Sequence, residues 1–215
     1  MKIPTTLRNF YTWALLSEGS TRTSALIRIG LALVIWARWG KELAIFNADF
    51  PYGFLFSMLF YFSTTLMLIG YYSNLSTFIA GIVTLTMYYY HGFVLGVEPW
   101  THHHTYLLAI STFLCSFTPC GKSYSVDRYL EVKNALKNNL QIPKEVGNLF
   151  GLRLLSLQLA AVYFWTAYDK SNYVWISGQK MEANLMFQYT GSRYPEFPQI
   201  ELILIIISIG VVPVS

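Results

Sequence analysis

Charged residues are scarce in this sequence. Asp, Glu, Lys and Arg make up only 12% of its 215 residues, whereas soluble globular proteins average about a quarter. Hydrophobic residues account for 54%, and the mean hydropathy is +0.40. The composition therefore predicts a membrane protein rather than a soluble globular one.

Cysteine is almost absent as well. Cys115 and Cys120 are the two in the chain, and they stand five positions apart, a spacing that suits neither a disulfide nor a metal-binding pair. Both are expected to be reduced structural residues, and no metal site is predicted.

The signatures of several protein classes are missing. The formal net charge is +4 and the isoelectric point is about 9.0, but the basic residues are scattered between apolar runs and form no continuous stripe, so no nucleic-acid partner is expected. The sequence also contains no nucleotide-binding loop, nucleophile elbow or haem motif. The first 23 residues lack the apolar core and the cleavage site of a signal peptide. Their interleaved apolar and polar side chains instead predict an interfacial segment over residues 1–23.

Long apolar runs fill most of the remaining chain. A membrane-spanning helix needs about 20 mostly apolar residues. The sequence contains five candidate runs and a sixth, shorter one. The runs cover 24–46, 54–72, 77–95, 102–117 and 149–168, with the short one at 200–212. These runs predict an all-α fold, a polytopic transmembrane bundle of five to six spanning helices in one domain over residues 24–215.

The segment 121–147 is too charged to enter lipid. Apolar residues recur at helical spacing within it, from Val126 to Leu140, which predicts an amphipathic surface helix. The side of a membrane protein whose short loops are richer in Lys and Arg usually faces the cytoplasm. Eight Lys and Arg residues lie on the side of the N-terminus and of this loop, and four lie on the opposite side. The N-terminus is therefore predicted to be cytoplasmic, in a membrane expected to be the bacterial inner membrane.

The predicted topology brings the start of the fourth run and the end of the fifth to one membrane face. Lys170 lies where the fifth run ends, and a partly desolvated lysine is a usable general base. The alternative is a lysine that extends its amine to the interface and pairs with Asp169. Of the three histidines His102 to His104, His103 or His104 can face the bundle as a neutral imidazole near pH 7. The alternative is a polar interfacial cap.

Four ordered motifs resemble a known membrane module. They are RIG at Arg28, WTHHHTYL at the start of the fourth run, SYSVDRYL after it, and YFWTAYDKSNYVWISG at the end of the fifth. Over Arg28 to Gly178 the chain resembles the membrane module of vitamin K-dependent γ-glutamyl carboxylase and its bacterial relatives, the horizontally transferred transmembrane domain family.

The resemblance implies a site and a cofactor. The family's base, a lysine before a W-x-x-G segment, falls on Lys170, and its Asn-His pair falls on His103 and His104. Lys170 and His104 are thus the predicted catalytic residues. His103, Tyr106 and Trp175 are the predicted binders of a reduced, vitamin K-like quinone.

Three functions remain open at this point. One is a quinol-linked membrane enzyme that uses a lysine base. Another is a non-catalytic membrane subunit of a larger complex, such as a peptide or toxin maturation assembly. Membrane lipids and membrane or peptide protein partners are expected in both cases, and a carrier of lipid or small molecules is a third possibility because fold does not fix function.

Overall fold

The computed structural model describes residues 11–41 and 53–181, together with the single residues 9 and 183. Helices make up nearly all of the regular structure in these ranges, which confirms the predicted all-α class. The chain divides into two compact units, Met1–Gln158 and Leu159–Ser215, and each is described by itself.

Eight α-helices follow one another in the described ranges. They are α1 Arg22–Trp39, α2 Gly53–Ile69, α3 Ser73–Tyr89, α4 Glu98–Thr101, α5 His103–Cys115, α6 Val126–Lys137, α7 Phe150–Lys170 and α8 Tyr173–Ile176. Two π-helical segments, Thr12–Leu16 and Tyr90–Val94, precede α1 and follow α3. The helix α6 confirms the helix predicted in the charged segment. The sixth apolar run, at 200–212, lies outside the described residues.

The helices of the first unit pack around α3. It makes extensive contacts with α2 and α5, and α1 packs on both of these neighbours. Large apolar side chains from each fill the core; its fully buried members include Ile35, Trp39, Phe60 and Met87. Gly81 lets α3 and α5 approach closely, because a Cβ atom there would lie 2.5 Å from the Cα of Phe113.

The side chain of Arg28 contacts the C-terminal end of α2. Its side chain is completely buried, and the guanidinium donates to the carbonyls of Met67, of Leu68 at 3.2 Å and of Tyr124 at 2.7 Å. The last carbonyls of a helix have no partner within it. Arg28 therefore satisfies the end of α2 and holds the loop before α6 against it.

Asp127 performs the matching task at the start of α3. Its carboxylate accepts hydrogen bonds from the backbone N–H of Tyr72 at 2.8 Å and from the N–H and hydroxyl of Ser73 at 2.7 Å each. Arg28 and Asp127 thus bind the ends of two different helices. A carboxylate is favoured at an N-terminus, and this cap lets α3 start at Ser73, earlier than its apolar run.

A short antiparallel strand pair ties the N-terminal segment to the chain before α7. Strand β1, Glu18–Ser20, pairs with β2, Val146–Asn148, and Arg22 donates to Glu145 at 2.8 Å next to them. Gly151 allows α7 to start against the carbonyl oxygen of Phe117, which a Cβ atom would approach to 2.5 Å. The ends of α2 and α5 and the starts of α1, α3 and α7 thus gather at one end, here named the basal end.

By length and apolar composition, α7 is the helix within the described ranges that could cross a bilayer, and α2 is apolar but shorter. The bundle of five to six spanning helices stays a prediction.

Candidate functional site

The three histidines open α5 at the end opposite the basal end. His102 is the N-cap residue, with extended backbone, and His103 is the first helical residue. The rings of His102 and His104 stack with centroids 5.3 Å apart, and those of His103 and His104 meet edge to face at 5.6 Å. All three side chains are exposed, so they form one imidazole cluster on the surface of the first unit.

A pocket of about 520 Å³ lies between α1 and α5, beside this cluster. Most of its wall is aliphatic, and its volume falls within the range of roughly 300–1,000 Å³ that is usual for small-molecule sites. The lining residues are Ile27, Gly30, Leu31, Val34, Arg38, His104, Thr105, Leu107, Leu108 and Ser111. His104 is the one histidine of the cluster among them.

Arg38 is the charged residue of this pocket, and sequence reasoning did not single it out. It lies near the end of α1 and lines the pocket together with His104 from the start of α5. An arginine within an apolar run is itself a signal of function in a membrane protein, and that signal is present in the sequence. Arg38 and His104 give the apolar pocket a polar end.

His103 and Tyr106 lie elsewhere in this region. Neither lines the pocket, and the ring of Tyr106 packs against that of Tyr88 on α3, with centroids 5.7 Å apart. Tyr106 thus helps fix the packing of α5 on α3. The binding roles of His103 and Tyr106 stay predictions.

An aromatic stack fixes the approach to α5. Trp100, at the end of α4, is buried and stacks on Trp39 at 5.4 Å, with the planes 8° apart. Its ring also lies 4.7 Å from that of His91. Because α4 leads directly into the histidine cluster, this stack holds the start of α5 against the end of α1. The sequence contains these residues without any spacing that predicts their stacking.

Lys170 and Trp175 meet within the second unit. Lys170 ends α7 and is half-buried, and its Nζ lies 5.4 Å from the centroid of the Trp175 ring. Asn172 caps the short helix α8 by accepting a hydrogen bond from the backbone N–H of Trp175 at 3.1 Å. A cation over an aromatic face is stabilised in its charged form. The structure therefore brings the predicted base together with one predicted binding residue.

Comparison with known proteins identifies the family. The HTTM domain family matches residues 39–212, a stretch that includes the histidine cluster, Lys170 and Trp175. No curated protein and no solved structure matches the chain significantly. The match covers most of the sequence, so the chain belongs to the HTTM domain family, a family of membrane domains that includes the membrane module of vitamin K-dependent carboxylase.

Proposed function

We propose that this membrane protein binds a lipophilic quinol in the pocket between α1 and α5 and promotes its oxidation to the quinone by molecular oxygen, which accepts the two electrons and two protons. The observation that carries the proposal is the pocket itself, which is aliphatic over most of its wall and polar where Arg38 and His104 meet. A quinol has the same division, since it joins a polar ring to an apolar tail. The family membership agrees with this ligand class.

The residues of the pocket fit a quinol chemically. When bound, a quinol supplies an ionisable hydroxyl group and two electrons. The neutral imidazole of His104 accepts a hydrogen bond from such a hydroxyl, and the guanidinium of Arg38 stabilises an oxyanion at the same end. Leu31, Val34 and Leu108 provide aliphatic surface for the tail.

Lys170 is assigned as the base by its register with the family motif. Its amine lies over the ring of Trp175, and the neutral form of the amine is the one that accepts a proton. The assignment is thus independent of the pocket geometry. Binding and turnover are affected by different variants, which makes the two parts separable.

Binding is tested with the full chain in nanodiscs. Titration with a menaquinone and native mass spectrometry report the bound quinone. His104→Ala removes one hydrogen bond and should weaken binding roughly two- to tenfold, while His102→Ala, an exposed neighbour outside the pocket, is the matched control. Leu108→Trp fills the pocket and should abolish binding. Wild-type affinity in both His104→Ala and Leu108→Trp would contradict the pocket assignment.

Turnover is tested with Lys170→Ala. Anaerobically reduced quinol is added, and its oxidation by oxygen is followed by absorbance. The variant should retain quinone binding and lose protein-dependent oxidation; an unchanged rate would overturn the role of Lys170.

The alternative is a non-catalytic membrane subunit. The helix α7 supports it, because Gly151 is the one residue of that helix that is buried. The rest of α7 is therefore available for contact with a partner protein. Purification in mild detergent with stoichiometric partner proteins and no bound quinone would favour it.

A further inference from the structure

The helix α6 presents a mixed apolar and basic face to its surroundings. Ala135 is its buried residue, and on the opposite side five residues fall within roughly 120° of arc at 3.6 residues per turn. They are Tyr129, Leu130, Lys133, Leu136 and Lys137, here named the outer face of α6. Tyr129 and Leu136 are 63% and 60% exposed, so large apolar side chains stand beside two lysines.

Three acidic groups of this region already interact with other groups of the protein. Asp127 caps α3, Glu131 accepts a hydrogen bond from Arg128 at 2.7 Å, and Glu145 is paired with Arg22. By contrast, Lys133 and Lys137 have no hydrogen-bond or ion-pair partner among the described residues. The outer face therefore carries uncompensated positive charge.

The position of α6 places this face near a bilayer surface. The helix follows α5 and precedes α7, the helix apolar enough to cross a membrane. Exposed apolar side chains continue beyond it at Leu140 and Ile142, and Trp13 is exposed on the N-terminal segment that the strand pair ties to the same end. Exposed tryptophan, tyrosine, leucine and lysine together are typical of segments that lie in the headgroup region.

We propose that the outer face of α6 is a binding site for the anionic lipid headgroups of the leaflet at the basal end. Lys133 and Lys137 contact lipid phosphates, while Leu130, Leu136 and Tyr129 enter the boundary between headgroups and acyl chains. Each lysine near an anionic surface contributes roughly a fivefold preference. With both lysines, the ratio of docked to undocked helix should be roughly 25-fold higher on anionic lipid than on neutral lipid.

The site is tested with an added tryptophan as a depth probe. The full chain carrying Leu136→Trp is reconstituted in nanodiscs of phosphatidylcholine alone or mixed equally with phosphatidylglycerol, each with brominated acyl chains. The signal of the parent protein, which has its own tryptophans, is subtracted. Bromine should quench the added tryptophan strongly in the mixed discs and weakly in the neutral discs. Added salt should reduce the difference, because it screens the lysines.

Charge removal completes the test. Lys133→Gln with Lys137→Gln in the Leu136→Trp background should lower the ratio of docked to undocked helix roughly 25-fold in the mixed discs. The control, Lys41→Gln with Lys180→Gln, removes the same charge from exposed lysines elsewhere and should leave quenching unchanged. Thermal unfolding in detergent checks that both variants fold. Equal quenching of the added tryptophan by aqueous iodide in all discs would overturn the proposal, because it would show that the outer face stays in water on anionic and neutral lipid alike.

Discussion

Gly70 sits where three elements meet. Its φ of +72° lies in the left-handed region, and a Cβ atom would lie 2.5 Å from that of Ser125 and 2.6 Å from Nη1 of Arg28. Its carbonyl accepts a hydrogen bond from the N–H of Asp127 at 3.0 Å. A single residue without a side chain thus lets the buried guanidinium, the start of α6 and the end of α2 come together.

Gly70→Ala should therefore lower the free energy of unfolding by about 2–4 kcal/mol, combining left-handed strain with an overpacked contact. The measurement is denaturant or thermal unfolding in a fixed detergent. Gly96→Ala is the control, because its φ is +66° but nothing lies within 4 Å of where an added methyl group would stand, so it should lose only the strain, about 1–2 kcal/mol. Equal losses in the two variants would show that the contact with Arg28 and Ser125 contributes nothing.

Sequence reasoning found the ionisable residues but not their partners. Arg28, His104 and Lys170 stand out because charge in or beside an apolar run is visible in a sequence. The partners of Arg28 are backbone carbonyls of α2 and of the loop before α6, and backbone groups leave no mark on residue identity. For the same reason, the pocket between α1 and α5 depends on how the two helices pack and is not visible in the sequence.

At the scale of elements, the contact between α3 and α5 depends on one glycine. A methyl group on Gly81 would lie 2.5 Å from the Cα of Phe113, and backbone cannot move aside as a side chain can. Gly30 provides a comparison, because it is also within a helix but a Cβ atom added there would have nothing within 4 Å. The two positions differ in packing rather than in secondary structure.

Alanine should accordingly have opposite effects at the two helical glycines. Gly30→Ala should raise stability by about 0.5–1 kcal/mol through helix propensity. Gly81→Ala gains the same propensity but forces the helices apart, and overpacking costs about 1–3 kcal/mol, so a net loss is expected. Unfolding in detergent measures both. A stabilising Gly81→Ala would mean that α3 and α5 are not held at this distance.

The strand pair and the Arg22–Glu145 contact give one element a pH dependence. The hydrogen bond from Arg22 holds the pKa of Glu145 below its usual value of 4.5. A carboxyl group with a lowered folded pKa contributes stability above the unfolded pKa and loses it as pH falls through the folded value. Acid should thus loosen the N-terminal segment.

Hydrogen exchange of residues 18–22 measures this loosening. In the wild type, exchange should accelerate as pH falls below the ordinary carboxylate range, after correction for the intrinsic rate. Glu145→Gln should show fast exchange already at neutral pH and little further change as the pH falls. The control is Glu18→Gln, which changes a glutamate of strand β1 and should keep the wild-type profile. An unchanged profile in Glu145→Gln would show that the contact between Arg22 and Glu145 does not hold residues 18–22 in place.

Element prediction succeeded where runs were long and failed where they were short. The apolar runs at 54–72, 77–95, 102–117 and 149–168 each fall on a helix, because a helix satisfies the backbone hydrogen bonds of a long apolar segment within the segment itself. The strands β1 and β2 have three residues each, with a glycine in the middle. Such segments carry no periodicity, and only their mutual hydrogen bonds define them.

For the whole molecule, the basal end restricts the topology. The strand pair joins the chain before α1 to the chain before α7, Arg28 joins α1 to the end of α2, and Asp127 joins the start of α3 to α6. Helices that leave and return to one end in this order alternate in direction. The basal end also contains most of the loop lysines and arginines, which predicts that it faces the cytoplasm.

Cysteine accessibility tests this orientation directly. Lys144→Cys lies in the basal loop and Leu95→Cys follows the end of α3, and both positions are exposed. A membrane-impermeant maleimide should label Lys144→Cys only in inverted vesicles and Leu95→Cys only in right-side-out vesicles. The parent protein is the control, and it should stay unlabelled because Cys115 and Cys120 are buried thiols. Labelling of both positions from the same side would contradict the alternating directions of α1, α2 and α3. Labelling of each position from the side opposite to the one expected would agree with the alternation and contradict only the orientation predicted from charge.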